Sequence, residues 1–97
     1  MYKLLDNNYK VTKGKENFDY EEVNSLFTDY FQDYDYVLGD YSYGKIRLKG
    51  FYDSSNKKAK KLNDIKYLED YIKEYCSPGA KTFLLKKEKN PKNSKNM

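Results

Sequence analysis

Two stretches of the chain repeat apolar residues with the spacing of an amphipathic α-helix. In the first stretch, intervals of three, four, seven and eight residues place the apolar side chains on one face. These residues are Val23, Leu26, Phe27, Tyr30 and Phe31. Asp19 is the predicted N-cap, and Glu22 completes a capping box with it. The pattern therefore predicts a helix that begins at about Tyr20.

The second helix is predicted to follow the sequence Leu62-Asn63-Asp64. Its apolar stripe consists of Ile65, Leu68, Ile72 and either Tyr75 or Cys76. The sequence Ser77-Pro78-Gly79 is expected to end this helix. Proline disfavours helical geometry in the residue before it, and glycine accepts the left-handed turn that follows many helices.

Shorter stretches around these helices predict β-strands. Residues 2–5 and 9–12 are rich in β-forming side chains and are expected to pair across a turn at residues 6–8. A further strand is predicted at residues 34–38. The continuous apolar run at residues 82–85 predicts a strand that is covered on both faces.

Residues 45–49 show the most regular alternation in the chain. This alternation places Ile46 and Leu48 on the core face of a strand and leaves the opposite face exposed. The cations on the exposed face are Lys45, Arg47 and Lys49. Residues 39–44, which contain two glycines, are expected to form the turn before this strand.

The elements follow one another as β-α-β-β-α-β, with an additional N-terminal strand. This order predicts an α+β fold in which an antiparallel sheet packs against two helices, with a ferredoxin-like topology. Residues 1–87 are expected to form one domain, because a chain of 97 residues builds a single core. Residues 88–97 lack apolar periodicity and predict a disordered, lysine-rich tail.

The composition supports a folded chain in a reducing compartment. Aromatic residues make up 18% of the chain, and each buries a large area. Cys76 is the single cysteine, so an internal disulfide is excluded. No apolar run approaches the roughly 20 residues that cross a membrane. A cytoplasmic location is therefore expected.

The charges are segregated along the chain. Residues 86–97 hold five of the 19 bases and one of the 15 acids, so the remaining residues carry 14 charges of each sign. Residues 16–40 contain eight acids and no lysine or arginine. Residues 45–61 contain seven bases and one acid, Asp53. The folded part should therefore have an acidic side and a basic side.

Catalytic chemistry has little support in the sequence. The absence of histidine removes the usual general base near neutral pH and the commonest metal ligand. Phosphate-binding glycine-rich motifs and a nucleophile elbow are also absent. Cys76 has the position of a core cysteine at a helix C-terminus, where the dipole disfavours a thiolate. No catalytic residue, metal site or cofactor is predicted.

One stretch interleaves aromatic and basic side chains around the strand at residues 45–49. Proteins hold single-stranded nucleic acid by stacking bases on rings and meeting phosphates with cations. This strand face is therefore a candidate surface for RNA or a ribonucleoprotein, although cations and tyrosines also commonly line a solvated strand. The candidate surface consists of Asp40, Tyr41, Tyr43, Lys45, Arg47, Lys49 and Tyr52.

The sequence YDYVLGDYSYGKIRLKGFY at residues 34–52 resembles the signature of the YutD-like proteins. The sequences at residues 68–71, 74–76 and 83–87 extend the resemblance over about residues 8–87. Relatives often carry tryptophan at the position of Tyr41 and a second cysteine at the position of Ala80. The resemblance implies a bacterial protein from the low-GC Gram-positive lineage and its wall-less relatives, in a family without an assigned biochemical activity.

The leading hypothesis is a small cytoplasmic binding protein that uses the candidate surface. The alternative is a protein-protein interaction module or regulatory subunit, which the acidic first helix could serve by electrostatic complementarity. An enzyme that acts through Asp40 with Arg47 or Lys49 is the third hypothesis. It requires a concave site beside Asp40.

Overall fold

The structure is a computed structural model that describes residues 1–88. Its strands are β1 (Tyr2–Leu4), β2 (Asn7–Lys13), β3 (Tyr36–Ser42), β4 (Lys45–Phe51) and β5 (Lys81–Lys87). Its α-helices are α1 (Tyr20–Leu26), α2 (Asp29–Gln32) and α3 (Leu68–Tyr75). Of the predicted tail at residues 88–97, only Glu88 is described; its backbone N–H donates to the carbonyl of Asn8 (2.8 Å). The rest of that prediction lies outside the described residues.

The strands form one antiparallel sheet in the order β1-β2-β5-β3-β4. The α+β class is confirmed. The ferredoxin-like topology is not confirmed, because the last strand, β5, lies between β2 and β3. Composition explains this placement: Phe83, Leu84 and Leu85 are buried at the centre of the sheet. The lysine-rich β4 lies at an edge, where charged side chains discourage further strand pairing.

Tight backbone geometry fixes the N-terminal hairpin against β5. β1 and β2 pair as predicted, with Tyr2 opposite Tyr9. After a register shift in β2, the chain turns at Gly14 with a φ of 69°. A Cβ atom at this position would lie 1.9 Å from the backbone oxygen of Thr82, so only glycine allows this approach.

Two hydrophobic clusters cover opposite faces of the sheet. The first packs α1 and α2 against the sheet through Val23, Phe27 and Phe31, together with Val37 and Leu85. The second packs α3 against the other face. It contains Leu38, Phe51, Leu68 and Leu84, with Ile65, Tyr71 and Ile72 at its margin. Both faces of the sheet are therefore partly covered by helices.

The first predicted helix is interrupted. It begins at Tyr20 as expected, and the side chain of Asp19 accepts a hydrogen bond from the backbone N–H of Glu22 (3.3 Å). It ends at Leu26, and α2 starts two residues beyond Phe27. This break rotates the helical register, so the prediction that Leu26 and Tyr30 are buried is wrong; they are 42% and 65% exposed.

The second predicted helix, α3, starts at Leu68, later than expected. A 3-10 turn at Ile65–Tyr67 is capped by Asp64, whose side chain accepts from the backbone N–H of Lys66 (3.0 Å). Of the two alternatives for the end of the apolar stripe, Cys76 is buried and Tyr75 is exposed. No helix within residues 1–88 is long and apolar enough to cross a membrane.

Candidate functional site

The edge strand β4 has the predicted alternation, but its cationic face is not open. Ile46 and Leu48 pack against the first cluster, and both are only half-buried because β4 is the edge strand of the sheet that residues 1–88 form. Lys49 lies on the opposite face, where its Nζ is 5.0 Å from the ring centroid of Phe51 and 5.9 Å from that of Tyr71 on α3. Burial there lowers the pKa of Lys49. The prediction of a fully exposed cationic face is therefore wrong, because α3 covers it.

Asp40 and Arg47 form an ion pair between β3 and β4. Asp40 is 1% exposed, and its Oδ1 accepts from Nε (3.1 Å) and lies 3.0 Å from Nη2 of Arg47. Arg47 Nη2 also donates to the backbone oxygen of Tyr75 at the end of α3 (2.7 Å). Burial opposes the charge on Arg47, but Asp40 outweighs it and raises the pKa of the guanidinium. Arg47 therefore ties both strands to α3.

The thiol of Cys76 adjoins this ion pair. Burial, followed by the negative charge of Asp40, raises the pKa of Cys76. The second oxygen of Asp40 has no nitrogen or oxygen partner among the described residues. Burial and the neighbouring carboxylate both disfavour the thiolate, which is the reactive form of a cysteine.

Of the remaining candidate residues, Tyr43 lies beside Arg47, whereas Tyr41 and Tyr52 lie elsewhere. Tyr41 donates through its hydroxyl to Glu22 Oε1 (2.8 Å), which places it on the α1 side of the sheet. Tyr52 is buried and donates to Asp33 Oδ2 (2.6 Å). Tyr43 is 74% exposed at the β3–β4 turn, and Lys45 is exposed nearby. The seven predicted residues therefore do not form one surface.

Asp33 anchors the loop after β4 to the segment before β3. One of its oxygens accepts from Tyr52, and both lie 2.9 Å from Nζ of Lys58. The hydrogen bond from Tyr52, followed by that from Lys58, lowers the pKa of Asp33. A carboxylate with a lowered pKa stabilises the fold above its ordinary pKa of about 3.9, and this contribution is lost as the pH falls through its folded-state pKa.

Replacement of Asp33 by asparagine should therefore destabilise the chain by about 1 kcal/mol at pH 7, the usual size for one hydrogen bond to a partly exposed group. The destabilisation should begin to shrink below about pH 4, because the unfolded parent chain then takes up a proton at this carboxylate while the folded chain, in which the pKa of Asp33 is lower, still resists it. Urea unfolding followed by circular dichroism at pH 7 and pH 3 measures both values. Asp29→Asn is the matched control, because the hydrogen bond that Asp29 accepts from Gln32 Nε2 is long (3.5 Å). An equal loss of unfolding free energy at both pH values would show that the charge of Asp33 does not stabilise the fold.

A small groove lies on the outer side of α3. Its apolar walls are Leu62, Tyr67, Tyr71 and Tyr75, and its charged rim consists of Lys61, Asp70 and Glu74. We call this site the tyrosine groove. Its volume is about 90 Å³. Leu62 and Tyr75 are 72% and 45% exposed, so both side chains face solvent here.

Helical spacing creates the tyrosine groove. Tyr67, Tyr71 and Tyr75 recur every four residues, which aligns them along one side of α3, while Leu68 is directed into the second cluster. The rings of Tyr71 and Tyr75 have centroids 4.9 Å apart. Arg47 extends the aromatic surface, since its guanidinium lies 5.4 Å from the ring centroid of Tyr43. The four-residue tyrosine spacing is the sequence signal that could have revealed this site.

A second, polar cleft of about 620 Å³ lies between β3, β5 and the loop after β4. Asp35 on its wall accepts from the backbone N–H of Asp53 (2.8 Å) and from Asn56 Nδ2 (3.0 Å). These bonds hold the loop in place. Within residues 1–88, no group of three or more His, Cys, Asp or Glu side chains is placed to hold a metal ion. Neither cleft is lined by Asp40.

The acidic segment at residues 16–40 presents most of its carboxylates to solvent. The exposed members are Glu16, Asp19, Glu21, Glu22, Asp29 and Asp33. Tyr30 and Leu26 are exposed along the same two helices. Because the segment contains no lysine or arginine, α1 and α2 present negative charge together with apolar side chains.

Comparison with known proteins identifies similar chains. The family described as "YutD-like: Putative antitoxin YutD-like" matches residues 3–86. "Putative antitoxin YutD" of Bacillus subtilis (strain 168) is 42% identical over 77 residues, which covers 79% of this chain and 85% of that protein. The solution NMR structure of protein yutD from B. subtilis superimposes with a TM-score of 0.68 at 37% identity and covers 84% of this chain and 76% of the other.

Proposed function

Since the chain belongs to the YutD-like family, we propose that it is a cytoplasmic protein-binding module that acts as an antitoxin by binding a toxic protein. The name of the B. subtilis relative motivates the antitoxin role. The observation that carries the protein-binding role is the acidic segment at residues 16–40, which contains no lysine or arginine and exposes six of its eight carboxylates. Such a surface attracts a basic protein and repels nucleic acid.

RNA or ribonucleoprotein binding through the candidate surface, the leading hypothesis from the sequence, is the second candidate function. The structure gives less support to this function because Lys49 and Arg47 on the candidate surface are half-buried and form hydrogen bonds within the chain. The exposed lysines of the loop after β4 are its remaining basis: Lys57, Lys58, Lys60 and Lys61. Lys58 already pairs with Asp33.

Purification of the tagged full chain from its native cells, with and without nuclease, tests the proposal. We expect a protein partner to remain bound after nuclease treatment. The variant Glu16→Gln/Glu21→Gln/Asp29→Asn should weaken this complex about tenfold, since each exposed interfacial charge contributes roughly 0.5 kcal/mol. The matched control is Lys45→Gln/Lys57→Gln/Lys60→Gln, which removes three exposed lysines outside both the acidic segment and the tyrosine groove and should retain the partner.

Two further results decide the antitoxin role. Depletion of the chain should arrest growth, and deletion of the partner's gene should restore it. Release of the partner by nuclease, or its loss from the lysine variant alone, would favour the RNA hypothesis. Normal growth without the chain would contradict the antitoxin role.

A further inference from the structure

We infer that the tyrosine groove binds one arginine side chain of the protein partner. This inference rests on the proposed function and names the partner chemistry at a second site, distinct from the acidic segment. The groove volume is about 90 Å³. Small-molecule sites usually enclose about 300–1,000 Å³, so the groove has the size for one side chain of a macromolecule.

The charges on the rim select a cation. Asp70 and Glu74 are exposed on consecutive turns of α3, where like charges four residues apart repel each other. Neither carboxylate forms an ion pair within the described part of the chain. With Lys61, the rim carries two negative charges and one positive charge. A cation placed between the carboxylates would relieve their repulsion.

The walls favour arginine over lysine. Three of the four apolar residues that form the walls are tyrosines. A planar guanidinium stacks on aromatic rings, and its N–H groups can donate two parallel hydrogen bonds to a carboxylate. The chain already contains this arrangement beside the groove. Arg47 lies over the ring of Tyr43 and donates to the backbone oxygen of Tyr75.

A second copy of the chain cannot supply this arginine. Arg47 is the single arginine in the sequence, and its guanidinium is held by Asp40 and Tyr75. Extracting it would leave the buried carboxylate of Asp40 without its cation. The occupant is therefore a different protein.

An NMR titration of the full ¹⁵N-labelled chain with N-acetyl-arginine N-methylamide tests the chemistry without requiring the partner. Saturable shifts are expected at residues 61–62 and 67–75, with a dissociation constant in the millimolar range. The neutral isostere N-acetyl-citrulline N-methylamide should bind at least fivefold more weakly. Asp70→Asn/Glu74→Gln should weaken arginine binding by a similar factor, whereas Glu16→Gln/Glu21→Gln should leave it unchanged.

Several outcomes would overturn the inference. The first is equal binding of the citrulline amide, or of the corresponding norleucine amide, which has an apolar side chain of similar length. The second is the appearance of chemical-shift changes at the same residues with short single-stranded RNA. The third is a dimer of the chain that the variant Asp70→Asn/Glu74→Gln dissociates. Retention of the nuclease-resistant partner by Asp70→Asn/Glu74→Gln would overturn it while leaving the proposed function intact. The converse result is saturable binding of the arginine amide together with a purification that yields no protein partner. That combination would count against the proposed function and not against arginine binding in the groove.

Discussion

Replacement of Arg47 by methionine is expected to destabilise the chain by about 3 kcal/mol. The substitution keeps an unbranched side chain over Tyr43 but leaves the carboxylate of Asp40 buried without its cation. Breaking a buried pair typically costs about 3–5 kcal/mol, and the lower end applies because the Arg47 side chain is 36% exposed. Urea unfolding followed by circular dichroism gives the free energy directly.

The double variant Asp40→Val/Arg47→Met provides the control. Replacing both partners of a buried pair by apolar residues is often neutral, so this variant should lie within about 1 kcal/mol of the parent. A single variant as stable as the parent would show that Asp40 does not depend on Arg47.

Replacement of Gly39 by alanine should cost about 3 kcal/mol, the upper end of the usual range for overpacking a core. The ring of Phe83 lies against this glycine across the β3–β5 pair. A Cβ atom at Gly39 would be 2.0 Å from Cζ of Phe83. Phe83 is itself 1% exposed and packs edge-on against Phe18, so its ring has little room to move. Thermal or urea unfolding measures the loss.

Measuring Gly39→Ala in a chain that also carries a smaller side chain at position 83 distinguishes the clash with Phe83 from any other effect of alanine on β3. Phe83→Leu alone should cost less than about 1.5 kcal/mol, and Gly39→Ala in that background should cost less than 1 kcal/mol. If Gly39→Ala costs the same in both backgrounds, the contact with the ring is not its cause.

Much of the local structure follows from short-range sequence signals. Asp19 with Glu22 predicts the start of α1, and the alternation around Ile46 and Leu48 gives the correct faces of β4. The apolar run at residues 82–85 correctly indicates a strand covered on both sides. These features depend on neighbours along the chain, where capping and period-two alternation act directly.

The candidate surface was less predictable because it depends on tertiary packing. Alternation shows that Arg47 and Lys49 lie on one face of β4, but it does not indicate that α3 packs on that face. Residues 39–44 were expected to form a turn, yet β3 continues through Ser42 because its residues pair with both β4 and β5. The break after Leu26 has no proline or glycine to signal it.

The central position of β5 delays completion of the fold during protein synthesis. β2 and β3 do not contact each other as neighbours in the sheet; each pairs with β5. A nascent chain that has not yet reached Lys81 therefore exposes two unpaired strand edges and cannot close either hydrophobic cluster. Pairing between residues as distant as Tyr9 and Lys87 also gives a high contact order, which slows folding. The sheet therefore forms only after β5 has been synthesised and has left the ribosome, and until then the chain is exposed to cellular proteases.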